Sequence, residues 1–328
     1  MFRTILLTVV LLAAPSALGK HHGQAAPAPV DRAEFESWME KISNWNRWGK
    51  DDQLGTLNLI TPAKRLEAIA LVKEGVTVSL ALDLNTKADA INTSPFSHKL
   101  TLSEFAGHQV AGDDYAISYH GFAHSHMDGL PHFFHKGKMY NGYSVDEVKS
   151  DGSRKLGIHN AKDGVVSRGI LVDMPAFKGV PYLEPGTAIT VADLEAWERE
   201  NKIRIGSGDV MLLRTGRWQR QREKGQWNFL EKAAGLHASV ALWLKERDVA
   251  VIGCDGVSDV MPANVAGLAN PLHELVLVGL GMPILDNLDL GPLAEAAHKR
   301  KQYTFLFMGS PLRVVGGTGS PMNPLVMF

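Results

Sequence analysis

Four short apolar runs, at residues 170–172, 210–213, 249–254 and 304–307, are spaced through the second half of a 328-residue chain. Runs of that length and content are what strands covered on both faces require. Between them the sequence turns helical: Thr190-Val191-Ala192-Asp193 opens one helix as a capping box, and residues 238–247 carry Val240, Leu242 and Leu244 along another. Strands alternating with helices specify an α/β architecture rather than separate all-α and all-β halves. Upstream, Thr61-Pro62 caps a helix predicted to run to Gly75 with Leu66, Ile69 and Ala70 inward, and residues 76–84 follow as a strand.

Met1-Phe2-Arg3, the apolar run 5–14 and the small residues Ala17-Leu18-Gly19 have the pattern of a secretory signal peptide over residues 1–19. The run is short of the roughly 20 residues a membrane span needs, so the expectation is an exported, periplasmic or secreted protein with no membrane span after cleavage. Residues 20–30 are an Ala/Pro-rich tether in which His21-His22 is incidental. Residues 31–328 show no repeat or second linker and are expected to form one domain. Its size makes a subunit interface or long functional loops unsurprising. The stretches 140–164 and 316–324 read as loops, the glycines of the second as a structural turn.

The 34 Lys+Arg balance 35 Asp+Glu to a net charge of −1, which removes the basic footprint that nucleic-acid binding needs. The single cysteine, Cys254, makes an internal disulfide or a CxxC zinc site impossible and reads as a buried core thiol. Any metal must therefore be held by His, Asp, Glu or water.

Residues 120–135, HGFAHSHMDGLPHFFH, hold five of the 13 histidines. If the chain is extended there, His120, Phe122, His124, His126 and Asp128 project from one face, because strand side chains repeat every two residues. Neutral imidazole and carboxylate are suitable ligands for zinc or manganese. Gly129-Leu130-Pro131 must then bend the chain and bring His132 round. The apolar company of Phe122, Met127, Leu130, Phe133 and Phe134 implies a buried polar site that has to be satisfied. Further on, Asp286 sits in the apolar run 283–288 and would need a cation or several donors if it points inward. His273, within Pro271-Leu272-His273-Glu274, reads by itself as a core-edge histidine. Asp255 and Asp259 flank Ser258 just past a strand end, where α/β proteins often bind ligands. Trp45, Trp48 and Tyr140 are candidates for an aromatic wall against a planar substrate, with core packing as the alternative.

The segment Ser125-His126-Met127-Asp128-Gly129-Leu130-Pro131-His132 resembles the signature of the cyclase-like metal-dependent hydrolases, the family of bacterial kynurenine formamidase and isatin hydrolase, usually H-x-G-T-H-x-D-x-P-x-H. Asn44-Trp45-Asn46-Arg47-Trp48-Gly49, Lys138-Met139-Tyr140-Asn141-Gly142, Asp255-Gly256-Val257-Ser258-Asp259, Ile284-Leu285-Asp286-Asn287-Leu288 and Gly316-Gly317-Thr318-Gly319 resemble family segments in the same order. The resemblance covers essentially the whole mature chain. It implies an α/β fold with a mixed, β-barrel-like central sheet flanked by helices, a homo-oligomer, and one or two divalent ions, zinc or manganese. By the same resemblance, His126 and Asp128 hold the metal, His273 and Asp286 are later ligands, and His132 is the general acid/base. Phe122 stands where the family has its first ligand histidine, and His124 where it has a glycine. On the one-face argument His124 is the expected substitute, with His120 as second candidate. The implied reaction is hydrolysis of an aryl amide or lactone, arylformamidase-like on N-formylkynurenine and hence part of tryptophan breakdown. The alternatives are an isatin hydrolase-like opening of a cyclic amide or lactone, and an exported metal- or ligand-binding protein without turnover.

Overall fold

The computed structural model describes residues 29–328, so the predicted signal peptide and His21-His22 lie outside the described residues. The sheet is built from β1 (Thr77–Ser79), β4 (His126–Asp128), β5 (Val165–Asp173), β6 (Val210–Arg214), β7 (Val251–Cys254), β8 (Ile284–Asp286), β9 (Thr304–Gly309), β10 (Gly319–Pro321) and β11 (Leu325–Met327). Its order is β1-β11-β9-β5-β6-β7-β8-β4-β10. The central strands β5 to β8 run parallel and the flanking pairs antiparallel, giving a mixed, curled half-barrel sheet. All four apolar runs lie in strands of this sheet. Along β5 and β6, Ile170, Val172, Met211 and Leu213 face one core while Leu171, Val210 and Leu212 face the other. Both faces are therefore covered, as a parallel centre demands.

Helices α1 (Arg32–Ile42), α3 (Val191–Asn201) and α5 (Val240–Arg247) lie on the first face, contributing Phe35, Trp38, Leu194, Trp197 and Leu244. α6 (Gly291–Arg300) covers the second with Leu293, Ala294 and Ala297. The capping box forms as read: Asp193 N donates to Thr190 Oγ1, and Thr190 N donates to Asp193 Oδ2. The single cysteine is buried, and burial followed by the neighbouring Asp255 carboxylate pushes its thiol well up.

Two local expectations fail for identifiable reasons. α2 (Pro62–Ile69) stops short of Gly75, with Leu66 67% and Ile69 50% exposed, and Ala70 also points outward. Its phase is set by Lys64, whose Nζ lies 2.6 Å from the buried Asp209 Oδ1, so Lys64 and Ala68 turn inward instead. The glycine-rich tail also does more than turn. Gly319–Pro321 becomes β10 and pairs with β4, while the expected strand at 76–84 shrinks to β1. A hairpin without counterpart in the sequence reading is formed by β2 (Ser97–Phe105) and β3 (His108–Ala116) around Ala106-Gly107, both at positive φ, with every residue of its strands exposed.

Candidate metal centre

β4 places the first candidate ligands. His126 pairs across the ladder with Asp286 and Asp128 with Ile284, so His126, Asp128 and Asp286 share one face while Met127 and Leu285 pack into the core behind. All three are buried, and their ligand atoms lie within 4.8 Å of one another. On its other edge β4 is held by β10, where a Cβ at Gly319 would sit 2.4 Å from Met127 O and 3.0 Å from the His120 ring. Glycine is what allows the ring to lie there.

The extended conformation expected from His120 begins only at His126. Residues 120–124 bend, and this changes which histidine arrives. His120 Nδ1 lies 2.8 Å from Asp128 Oδ1 and its Nε2 2.9 Å from Thr318 Oγ1. Its ring stacks on that of His132 at 3.8 Å, the two planes 4° apart. His120, Asp128 and His132 thus form a second group able to hold an ion, half-exposed and sharing Asp128 with the first. His124 is also buried, but neither ring nitrogen has a partner, and it joins neither group among the described residues. Phe122, at the family's ligand position, packs its ring 5.5 Å from Phe229.

The other expected residues divide in the same way. His273, buried just before a π-helical turn at Glu274–Leu280, puts Nε2 3.3 Å from Asp286 Oδ2 and 3.5 Å from Asp128 Oδ2. Its Nδ1 is 2.5 Å from Asp259 Oδ2, and the same carboxylate accepts from Leu272 N and His273 N. Asp259 therefore caps the turn and aims the ring, a role only a strand-end carboxylate hinted at. Asp255, its neighbour in the sequence, accepts from Thr215 N, Thr215 Oγ1, Gly216 N and Arg217 N and is committed to the scaffold. Trp45 Nε1 donates to Val278 O, Tyr140 OH to Asp52 Oδ2, and Trp48 lies under the Arg47 guanidinium. These three aromatics have their polar and ring contacts in the scaffold; the aromatics beside the cluster are Phe133, with ring centroids 5.1 Å from His132 and 5.2 Å from His273, and Tyr119, 4.5 Å from His120 and 5.9 Å from His126.

The donor set fits a divalent cation. His126 anchors Nδ1 on His124 O at 2.8 Å, as His273 anchors its Nδ1 on Asp259, so each turns Nε2 toward the carboxylates in the ligating tautomer. Among the described residues Asp286 Oδ1 is buried without a hydrogen-bond partner, and Asp128 Oδ1 meets only imidazole nitrogens, His120 Nδ1 at 2.8 Å and His126 Nε2 at 3.3 Å. Buried carboxylate oxygens so placed need a positive charge. Burial raises the Asp286 carboxyl, whereas around Asp128 burial is outweighed by His126, His120 and His273, which hold it well below the usual range. Burial also pushes His132 down to about 4, leaving it neutral at pH 7.

A buried His/Asp cluster on the inner face of a curled mixed sheet flanked by helices defines a cyclase-like α/β protein. The Cyclase family model matches residues 35–259, and the chain belongs to that family. Among solved structures, the chain is 29% identical to one described as a novel cyclase, with a TM-score of 0.80, covering 87% of this chain and 99% of that one. Isatin hydrolase A from Labrenzia aggregata, bound to benzyl benzoate, is 17% identical with a TM-score of 0.54, covering 81% and 98%. Isatin hydrolase A from Ralstonia solanacearum is 20% identical with a TM-score of 0.53, covering 81% and 97%. No curated protein matches.

Proposed function

We propose that this chain is a metal-dependent hydrolase that cleaves an amide carbon–nitrogen bond next to an aromatic ring, as an arylformamidase does on N-formylkynurenine. The observation carrying the reading is the convergence of His120, His126, His132 and His273 on Asp128. His126, Asp128, His273 and Asp286 would hold one divalent ion, zinc or manganese, and His120 with Asp128 would serve a second. Such an ion lowers the pKa of a bound water from 15.7 to about 7 and polarises a carbonyl.

The chain's own residues supply the proton traffic. His132 is 26% exposed and neutral, so it can be reached by substrate and can accept a proton from the attacking water. It returns that proton to the leaving nitrogen, which departs as the free amine. Phe133 offers an aromatic face beside His132, and Asp128 keeps the imidazoles in place. The isatin hydrolase-like alternative, opening of a cyclic amide or lactone, is supported by the named isatin hydrolases among the structural neighbours. It requires the same groups, because the leaving atom differs only in staying tethered. The signal-like N-terminus supports an exported enzyme, and the size of the domain a homo-oligomer.

The test is elemental analysis of mature protein, together with hydrolysis of an N-formyl aryl amine, isatin and a lactone before and after chelation. One or two zinc or manganese ions per chain with chelator-sensitive turnover is the expected result. Absence of bound metal, with no activity recovered on adding either ion, would leave the non-catalytic binding protein as the better description.

A further inference from the structure

Arg217 is a buried cation without a carboxylate bonded to its guanidinium. It opens α4 (Arg217–Lys224), is 3% exposed, and its guanidinium lies between the rings of Phe229 at 3.7 Å and Trp218 at 4.0 Å. Nη1 donates to Asn287 Oδ1 at 2.6 Å, Nη2 donates to Phe122 O at 2.6 Å, and Nε has no partner. Asp255 and Asp286 attract this charge without bonding it, and the two groups that bond it are neutral acceptors; burying a charge so paired is costly, and a well-packed apolar side chain would serve the core at least as well. The position of the two acceptors suggests what the charge does instead.

Asn287 follows Asp286 and holds a left-handed backbone, φ 56°. Its Nδ2 donates to Gly121 O at 2.8 Å and to His124 O at 3.1 Å, and its carbonyl accepts from Ser125 Oγ at 2.7 Å. The carbonyls of residues 121, 122 and 124 thus converge on two side chains that come from elsewhere in the chain. A guanidinium has only donors, so its bond to Oδ1 fixes which way the Asn287 amide faces and turns Nδ2 toward the loop. His120 leaves this loop on one side and His126 on the other. The bend that carries His120, rather than Phe122 or His124, to Asp128 is the segment these bonds hold.

We propose that Arg217, acting through Asn287, is the positioning residue that sets His120 opposite Asp128. Its fork ties the loop to the residue next to Asp286, so the half-exposed group and the buried group keep a fixed spacing. The effect on metal binding rests on the metal reading above; the effect on His120 does not.

The experiment compares the parent with Arg217→Lys, which keeps the charge without the fork, and Arg217→Met. The ring ¹⁵N resonances of His120 are followed in metal-free protein, and manganese and zinc are then titrated into each. Expected are a shifted His120 ring in both variants at an unchanged metal-free unfolding midpoint, and about tenfold weaker binding of the ion served by His120, with the other ion unaffected. An unmoved His120 ring, or equal weakening of both ions, would overturn the proposal. If the Met variant does not fold, the Lys variant decides. If the parent binds neither metal, the hydrolase reading falls, and the His120 ring still decides the positioning role.

Discussion

Asp128 stands between two unlike groups. On one side, His126 and Asp286 are placed by adjacent ladder positions of β4 and β8 and are closed off from water. On the other, His120 and His132 come from a bend and a turn, with side chains 28% and 26% exposed. A strand ladder fixes its ligands through backbone bonds that cannot be given up locally, whereas a loop can adjust and can be reached. On the proposed reading the buried group holds, and the half-exposed group reacts.

The sharpest way to break that contrast is to remove what both groups share. Asp128→Asn should abolish binding of both ions and turnover with them, since losing one partner of a buried charge cluster costs about 3–5 kcal/mol; one ion retained on elemental analysis would show that the groups do not share Asp128. His132→Ala should lower kcat by about 10²–10⁴-fold. Metal stoichiometry, including the ion of the half-exposed group, should remain, which separates a proton carrier from a ligand. Asp259→Asn should weaken that ion about 10–100-fold, because the His273 ring loses the acceptor that aims it, while zinc titration should find the half-exposed group little changed.

The pH response sharpens the same contrast. An unfolded chain protonates His132 below its ordinary value of about 6.5, the folded chain only near 4, so between those values protons favour the unfolded state. Stability contributed by a neutral His132 is therefore lost as pH falls through this window, by at most about 3 kcal/mol and less for a side chain that water still reaches. Denaturant unfolding of parent and His132→Asn, without metal, at pH 7.5 and 5 should show the variant gaining on the parent at the lower pH. The smallest effect belongs to His124→Ala, which should leave metal stoichiometry unchanged; a lost ion there would return the missing ligand to the position first expected from strand alternation.

That last comparison shows what the sequence could and could not reveal. His126 and Asp128 were legible because period-two alternation is local and β4 obeys it. His120 was legible only as the second candidate, because the bend at 120–124 is held by Arg217 and Asn287, 95 and 166 residues from their acceptors Phe122 and Gly121. His273 looked like a core-edge histidine until Asp259, 14 residues away, was seen to aim it. The α/β alternation came through intact, since buried strands announce themselves by composition. The inward face of α2 was misassigned because the Lys64–Asp209 ion pair, not the placing of leucine and isoleucine, sets the helix phase. The hairpin of β2 and β3 buries nothing within its strands and so left no patterned signal to read.

The pairing of β10 with β4 also bears on how the protein is made. While a growing chain ends before Thr318, His126–Asp128 has an open edge where β10 will lie, and the hydroxyl that meets the second nitrogen of His120 is not yet there. Such an edge can pair with the wrong strand. Closure of this edge, and of the contact on the second nitrogen of His120, therefore waits until residues 318–321 have been made.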